Sequence, residues 1–302
     1  MPQYVIRCSE RSQIPKDGCV NFEERRIDVD GLPTRYLRAG TAGPLLCLLH
    51  GVGDNALDWQ WVMPTLARTH RVYAPDLPGS GGSIKPDVDY SPAFFTQFLS
   101  VFLDALEVER VAVVGNSLGG LVGLRLALSE PSRVNALGLV ASAGLGREVT
   151  YALRSLALPG NGKLAVAWGK RPPGAAQRAL GRATLLFARP QSVPLKWVKE
   201  QYRLARLPGF VEAQLATIRA QVGLQGQREV LADRLAQLEV PTIIVWGTHD
   251  RVFPYSQAKE AVSQVQEGSL ELISDCGHLP QVEQPDRFTA IVARFLERQA
   301  PH

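Results

Sequence analysis

Three residues far apart in the chain are of the types that together cleave acyl bonds. They are Ser117 in "VAVVGNSLGGLVG", Asp250 at the end of "PTIIVWGTHD" and His278 after "LELISDCG". A serine hydroxyl is too weakly acidic to attack a carbonyl unaided. A histidine can take its proton and later deliver it to the leaving group. A carboxylate can hold the imidazole in the required tautomer and stabilise the imidazolium. Two rival carboxylates stand near: Asp275, three residues before His278, and Asp286 in "EQPDRF". Asp250 is preferred because it follows an apolar run of its own. His249 is read as a loop neighbour of that acid, and His50 as a residue that holds its own loop by hydrogen bonds.

The surroundings of Ser117 suit a nucleophile. Gly115 and Gly119 bracket it in a Gly-x-Ser-x-Gly pattern between the apolar run Val111–Val114 and the helix-like stretch "GLVGLRLAL". Such a junction forces a sharp bend that exposes the serine, and the glycines remove side chains that would clash there. The N–H of Leu118 then opens a helix and points toward developing negative charge. The N–H of Val52, just after His50-Gly51, is the second expected donor.

These residues need a scaffold, and the apolar pattern supplies one. "RRIDVDG" and "PTRYLRAG" read as an opening hairpin turning at Asp30-Gly31. "PLLCLLHG", "HRVYAPDLPG", "RVAVVGNS", "VNALGLVASAG", "PTIIVWGTHD" and "GSLELISDCGH" read as further strands. Helical stretches are expected at 56–69, 91–106, 118–129, 256–265 and 285–298. Alternating strands and helices predict an α/β fold with a mostly parallel sheet flanked by helices. In such a sheet, sites form outside the C-terminal ends of the strands, where His50, Ser117, Asp250 and His278 all fall. From Leu145 to Leu235 the strand pattern stops. Leu/Ala/Arg-rich helical stretches such as "AAQRALGRATLLFA" and "PLKWVKEQYRLARL" take over. This predicts two units: an α/β core of residues 1–144 and 236–302, and a helical cap of residues 145–235.

Five motifs in order, "HGVG" (50–53), "DLPGSGGS" (76–83), "GNSLGG" (115–120), "WGTHDRVFP" (246–254) and "CGHLPQVEQP" (276–285), make the chain resemble the α/β-hydrolase family over almost its whole length. In that family the cap follows the sixth strand. The resemblance implies Ser117 as nucleophile, Asp250 as acid, His278 as base, and Val52 and Leu118 as the oxyanion hole. Relatives with aspartate in place of Ser117 act on alkyl halides or epoxides, so serine implies the ester-type branch, with no metal and no cofactor.

The substrate is less legible. "GNS" resembles the carbon–carbon bond hydrolases that cleave ring-fission diketones, but those carry an aromatic residue after the catalytic histidine, and here Leu279 stands there. "GHLPQVEQP" resembles carboxylesterases and lipase-like esterases. The expected function is therefore a carboxylesterase acting on a small-molecule ester with an apolar or aromatic acyl group. The alternatives are a diketone hydrolase and, outside catalysis, a ligand receptor on the same fold. Trp168, Trp197 and Phe187 are expected mainly as cap core. Trp59 in "ALDWQW" is the one candidate for the substrate pocket.

Composition narrows the rest. The 302 residues are 45% hydrophobic and 21% charged, with net charge +4, as in ordinary globular proteins. That charge is uneven: residues 145–235 hold 15 Lys+Arg and 5 Asp+Glu, a balance of +10, and the remainder is −6. A basic cap is either a solvated face or a surface for an anionic partner. The longest run without a charged residue, Ala39–Gly53, is shorter than the ~18 apolar residues of a membrane span. The N-terminal stretch lacks the apolar core of a secretory signal. Four cysteines (Cys8, Cys19, Cys47 and Cys276) show no metal-ligand spacing. The expectation is a cytoplasmic protein with free thiols, monomeric or homodimeric, that binds no nucleic acid and has no transmembrane segment.

Overall fold

The computed structural model describes residues 22–158 and 162–299. Cys8 and Cys19 lie outside them. Eight strands form one sheet: β1 (Glu23–Val29), β2 (Leu32–Ala39), β3 (Leu45–Leu49), β4 (Arg71–Pro75), β5 (Val111–Asn116), β6 (Val134–Val140), β9 (Thr242–Gly247) and β10 (Gly268–Ile273). Their spatial order is β1-β2-β4-β3-β5-β6-β9-β10. β7 (Val222–Gly223) and β8 (Gly226–Gln227) form a separate small hairpin. β1 pairs antiparallel with β2, and β2 antiparallel with β4; every other pairing in the large sheet is parallel. The opening hairpin turns at Asp30 (φ 50°) and Gly31 (φ 76°), a left-handed pair that suits this sequence.

The period-two alternation of the central strands divides the core between two faces. In β5, Val111 and Val113 join the layer that holds Phe95, Phe98, Phe102 and Leu121, while Ala112 and Val114 join the layer that holds Trp59, Met63, Phe288 and Phe295. β3 and β9 divide in the same way, Cys47 and Trp246 going to the first layer and Leu48 and Val245 to the second. All six residues of β5 and of β9 are buried, as expected of strands covered on both faces.

Helices α1 (Met63–Leu66), α2 (Pro92–Ala105), α3 (Leu118–Ser129), α9 (Ser256–Val262), α10 (Pro280–Glu283) and α11 (Pro285–Glu297) belong to the sheet's surroundings. Ser91 caps α2 by accepting the Phe94 N–H at 3.1 Å. The helix expected over 56–69 is instead two short pieces, a 3₁₀ turn at Ala56–Trp59 and α1. Pro64 explains the break: with no N–H to donate to the carbonyl four residues back it cannot continue a helix begun at Ala56, but it is accommodated in the first turn of α1, where no such bond is needed.

Between β6 and β9 the chain forms α4 (Tyr151–Ala157), α5 (Gly162–Gly169), α6 (Pro172–Leu186), α7 (Leu195–Ala205) and α8 (Phe210–Gln221), with the β7–β8 hairpin after them. The helical insertion therefore follows the sixth strand. It has a small core of its own around Ala175, Leu204, Ala205 and Phe210. Trp197 and Phe187 are buried edge to face at 4.9 Å, whereas Trp168 is exposed at the end of α5.

Candidate active site

Ser117 sits at the junction of β5 and α3 with φ 54° and ψ −114°, a conformation a non-glycine residue adopts only when its surroundings impose it. Two observations show how they do. The Ser117 N–H donates to the Val140 carbonyl at 2.9 Å, and its own carbonyl accepts from Ala143 at 3.0 Å. A Cβ on Gly115 would lie 2.1 Å from the Gly119 carbonyl oxygen, and one on Gly119 would lie 2.3 Å from the Leu49 carbonyl oxygen. The glycines are there because α3 starts in direct contact with the ends of β5 and β3.

Asp250 and His278 come from the loops after β9 and β10. His278 Nδ1 stands 2.8 Å from Asp250 Oδ2, with the acid side chain wholly buried. The other carboxylate oxygen accepts the Val252 and Phe253 N–H groups at 2.7 and 3.2 Å. Asp250 is thus fixed from both sides, and the imidazole is left with Nε2 as its unengaged edge. The rivals are elsewhere: Asp275 pairs with Arg189 at the surface at 2.9 Å, and Asp286 lies in the first turn of α11. His249 is an exposed loop residue next to Thr248.

The histidine loop is tied to its neighbours by backbone. The His278 N–H donates to the Leu186 carbonyl, at the end of α6, at 2.7 Å. Asn116 Nδ2 donates both to the His278 carbonyl (3.0 Å) and to the Val140 carbonyl (3.1 Å). The asparagine of "GNS" thus joins the end of β5 to the histidine loop. His50 holds the neighbouring loop: its Nδ1 donates to the Gly51 carbonyl at 2.8 Å and its Nε2 accepts the Leu77 N–H at 2.9 Å. That pattern requires a neutral ring, and burial lowers its pKa accordingly. Asp76 fixes the "DLPGSGGS" loop by accepting from Ala56 (2.8 Å), Gly82 (2.7 Å) and Arg35 (2.9 Å).

Ser117, His278 and Val52 line one cavity. Its walls are mainly apolar: Leu121 from α3, Leu153 from α4, Leu185 and Leu186 from α6, Ile218 from α8 and Phe253 beside the imidazole. Leu118 borders an adjoining recess with Val52 and Gly51. Leu118 is the first residue of α3, where helix N–H groups have no intrahelical acceptor. Trp59 is not part of this wall. It is fully buried on the other face of the sheet, its ring 6.1 Å from that of Phe288. The 3₁₀ turn that replaced the expected helix directs it into that layer.

The sequence reading missed the polar corner of the cavity. Asp54, two residues past Val52, accepts from Arg182 of α6 at 2.6 Å and from Gln201 of α7 at 2.9 Å. Arg178, one turn before Arg182, donates to Gln214 and Gln201 and stacks over Phe210. Burial and the nearby Arg182 pull Arg178 down to about 9. Next to Asp54, Asp58 accepts from Trp197 Nε1 at 3.1 Å. Burial, then the Asp54 charge, hold its carboxyl well above the usual range. The one visible signal was a pair of arginines four apart in an Ala-rich helix.

Cys47 and Cys276 are free and buried. Burial pushes the Cys47 thiol up to about 12, and burial with Glu283 pushes the Cys276 thiol up as well, so both are held in the unreactive thiol form. Among the described residues no cluster of His, Cys, Asp and Glu could hold a metal ion.

The family model for the alpha/beta hydrolase fold matches residues 44–285. The chain belongs to this family. It is 31% identical over 284 residues to 2-hydroxymuconate semialdehyde hydrolase of Pseudomonas sp. strain CF600, covering 90% of this chain and 93% of that one. Among solved structures it is similar to a membrane phospholipase A (27% identity, TM-score 0.77, 92% of this chain and 86% of that one). It is also similar to a serine hydrolase involved in carbazole degradation (28% identity, TM-score 0.75, 92% and 99%).

Proposed function

We propose that the protein is a serine carboxylesterase for a neutral, largely apolar ester. The observation that carries this reading is the buried Asp250–His278 pair, 2.8 Å apart, at the wall of the apolar cavity that also receives Ser117. In the proposed reaction His278 Nε2 takes the proton of Ser117 Oγ as that oxygen attacks the ester carbonyl. The oxyanion is received by the N–H groups of Val52 and Leu118. His278 then protonates the alcohol oxygen, which leaves, and the acyl group stays on Ser117. Water, deprotonated by His278, attacks the acyl-enzyme, and acid and free serine are released. Asp250 stays ionised and orients the ring.

The cavity's charges favour an ester over an acidic diketone. Its guanidinium, Arg182, is already matched by Asp54, and its other carboxylate, Glu229, pairs with Arg125. A substrate carboxylate entering this cavity would meet Asp54 and find no unmatched cation at the wall. The second reading, carbon–carbon bond hydrolysis, is favoured by the identity to 2-hydroxymuconate semialdehyde hydrolase. The test is steady-state hydrolysis of p-nitrophenyl esters from acetate to long acyl chains, beside a vinylogous diketone acid, with Ser117→Ala as control. The proposal expects multiple turnovers on esters that vanish in the variant. Turnover of the diketone alone would replace it with the second reading.

A further inference from the structure

A surface helix ordinarily hides its apolar stripe and shows its charges. Helix α6 hides an apolar stripe, Ala175, Ala179, Ala183 and Leu186, but shows no charges outward. Arg178 and Arg182 face inward, to Gln201, Gln214 and Asp54. Its exposed positions, Pro172, Pro173, Ala176, Gln177, Leu180, Gly181 and Thr184, carry no charge. Leu180 is 61% exposed, one turn after Gln177, whose side chain holds Nε1 of Trp168, itself 46% exposed, at 2.8 Å. Helix α7 packs along α6 and exposes Leu195 with Lys196, Lys199, Arg203 and Arg206. Arg203 pairs with Glu200; no salt bridge among the described residues engages Lys196, Lys199 or Arg206. Of the seven large apolar side chains exposed among the described residues, five (Tyr151, Trp168, Leu180, Leu195 and Leu224) lie in residues 145–235. This is the segment whose charge balance is +10.

Exposed apolar groups that lie close together mark an interaction surface, and Gln177 links Trp168 to the helix that carries Leu180. A tryptophan with its N–H satisfied, exposed leucines and lysines with long apolar stems form the composition that settles at the boundary of an anionic bilayer. We propose that the outer face of α6 and α7 docks on the surface of an anionic lipid bilayer. Trp168 and Leu180 enter the headgroup boundary, and Lys196, Lys199 and Arg206 meet the lipid phosphates. Attachment is peripheral, since no described helix is long and apolar enough to cross a membrane. The inner side of α6 is a cavity wall, so docking would bring the cavity within one helix diameter, about 10 Å, of the lipid.

The test is co-sedimentation of the full chain with vesicles of phosphatidylcholine alone and of phosphatidylcholine with phosphatidylglycerol, at low and high salt. Binding is expected to the anionic vesicles only and to weaken with salt. Lys196→Glu with Lys199→Glu should weaken it on the order of tenfold or more, and Trp168→Ser with Leu180→Ser should also release the protein. Hydrolysis of a short, soluble ester should be unchanged in both double variants, which separates loss of docking from loss of fold or chemistry. Absence of binding to anionic vesicles, or binding unaltered by both variants, would overturn the proposal. So would a concentration-dependent dimer that disappears with Trp168→Ser and Leu180→Ser, which would assign the face to a second copy of the chain.

Discussion

Helices α3 and α6 both border the cavity, and they are built on opposite principles. α3 is apolar almost all round, with nine of its residues buried, and it is positioned by close backbone approach through Gly115 and Gly119. α6 is positioned by charge. Arg182 reaches Asp54 on the loop after β3, and Arg251, next to the acid, donates to the Thr184 and Phe187 carbonyls at 2.6 and 3.2 Å. The sheet thus presents the proposed reacting groups through packing that has one solution, while the insertion is fastened over them by polar contacts that substitution can rewrite. Chemistry should be concentrated on the first side and selectivity on the second.

Four experiments would break or sharpen that contrast. The largest effect is expected from Ser117→Ala, which should lower ester turnover by a factor on the order of 10⁴ or more, read as kcat on the best p-nitrophenyl ester. Asp250→Asn should cost roughly 10³ to 10⁴ with the fold intact, because the amide cannot hold the same tautomer; near-normal kcat in that variant would move the acid to another residue. On the insertion side, Asp54→Asn frees the Arg182 guanidinium. It should raise kcat/KM for an ester with a terminal carboxylate on its acyl chain by about tenfold relative to its neutral counterpart, the worth of one charge-assisted hydrogen bond. An unchanged ratio would show that the Asp54–Arg182 pair does not set substrate charge.

The smallest effect is on stability. The folded state holds Asp58 protonated to a higher pH than the unfolded chain does. Its stabilising contribution is therefore complete below the ordinary carboxylate range and is lost as pH rises through its raised value. Asp58→Asn, neutral throughout, should escape that loss. The difference in melting temperature between variant and wild type should move in the variant's favour as pH is raised from about 4 to 8. A difference independent of pH would mean that Asp58 titrates alike folded and unfolded.

The contrast also explains what could be read from sequence. Strands β3, β5 and β9 are legible because burial on both faces leaves unbroken apolar runs. Ser117 and Asp250 stand out because each follows such a run, whereas His278 follows the half-exposed edge strand β10 and stands out through its motif; the structure brings it into contact with Asp250. The Ala56–Thr69 stretch misled because its apolar spacing suits one continuous helix, which Pro64 interrupts, and Trp59 was misplaced with it. The corner formed by Asp54, Arg178, Arg182 and Gln201 left little trace. An arginine on a helix reads as solvent-facing unless its partner, more than a hundred residues away, is already known. The outward-facing Leu180 was hidden for the same reason: helical spacing defines a face, not the direction it points.

The bond from the His278 N–H to the Leu186 carbonyl bears on anyone wishing to re-engineer this protein. Because the end of α6 is fastened to the histidine loop and Arg182 to the loop carrying Val52, α6 is part of the frame on which the proposed reacting groups hang. Exchanging it for a helix from a relative would change the tool as well as the handle. α4 lends the cavity only Leu153 and has no fully buried residue, so it is the interchangeable panel. Libraries aimed at new substrates should be built there first.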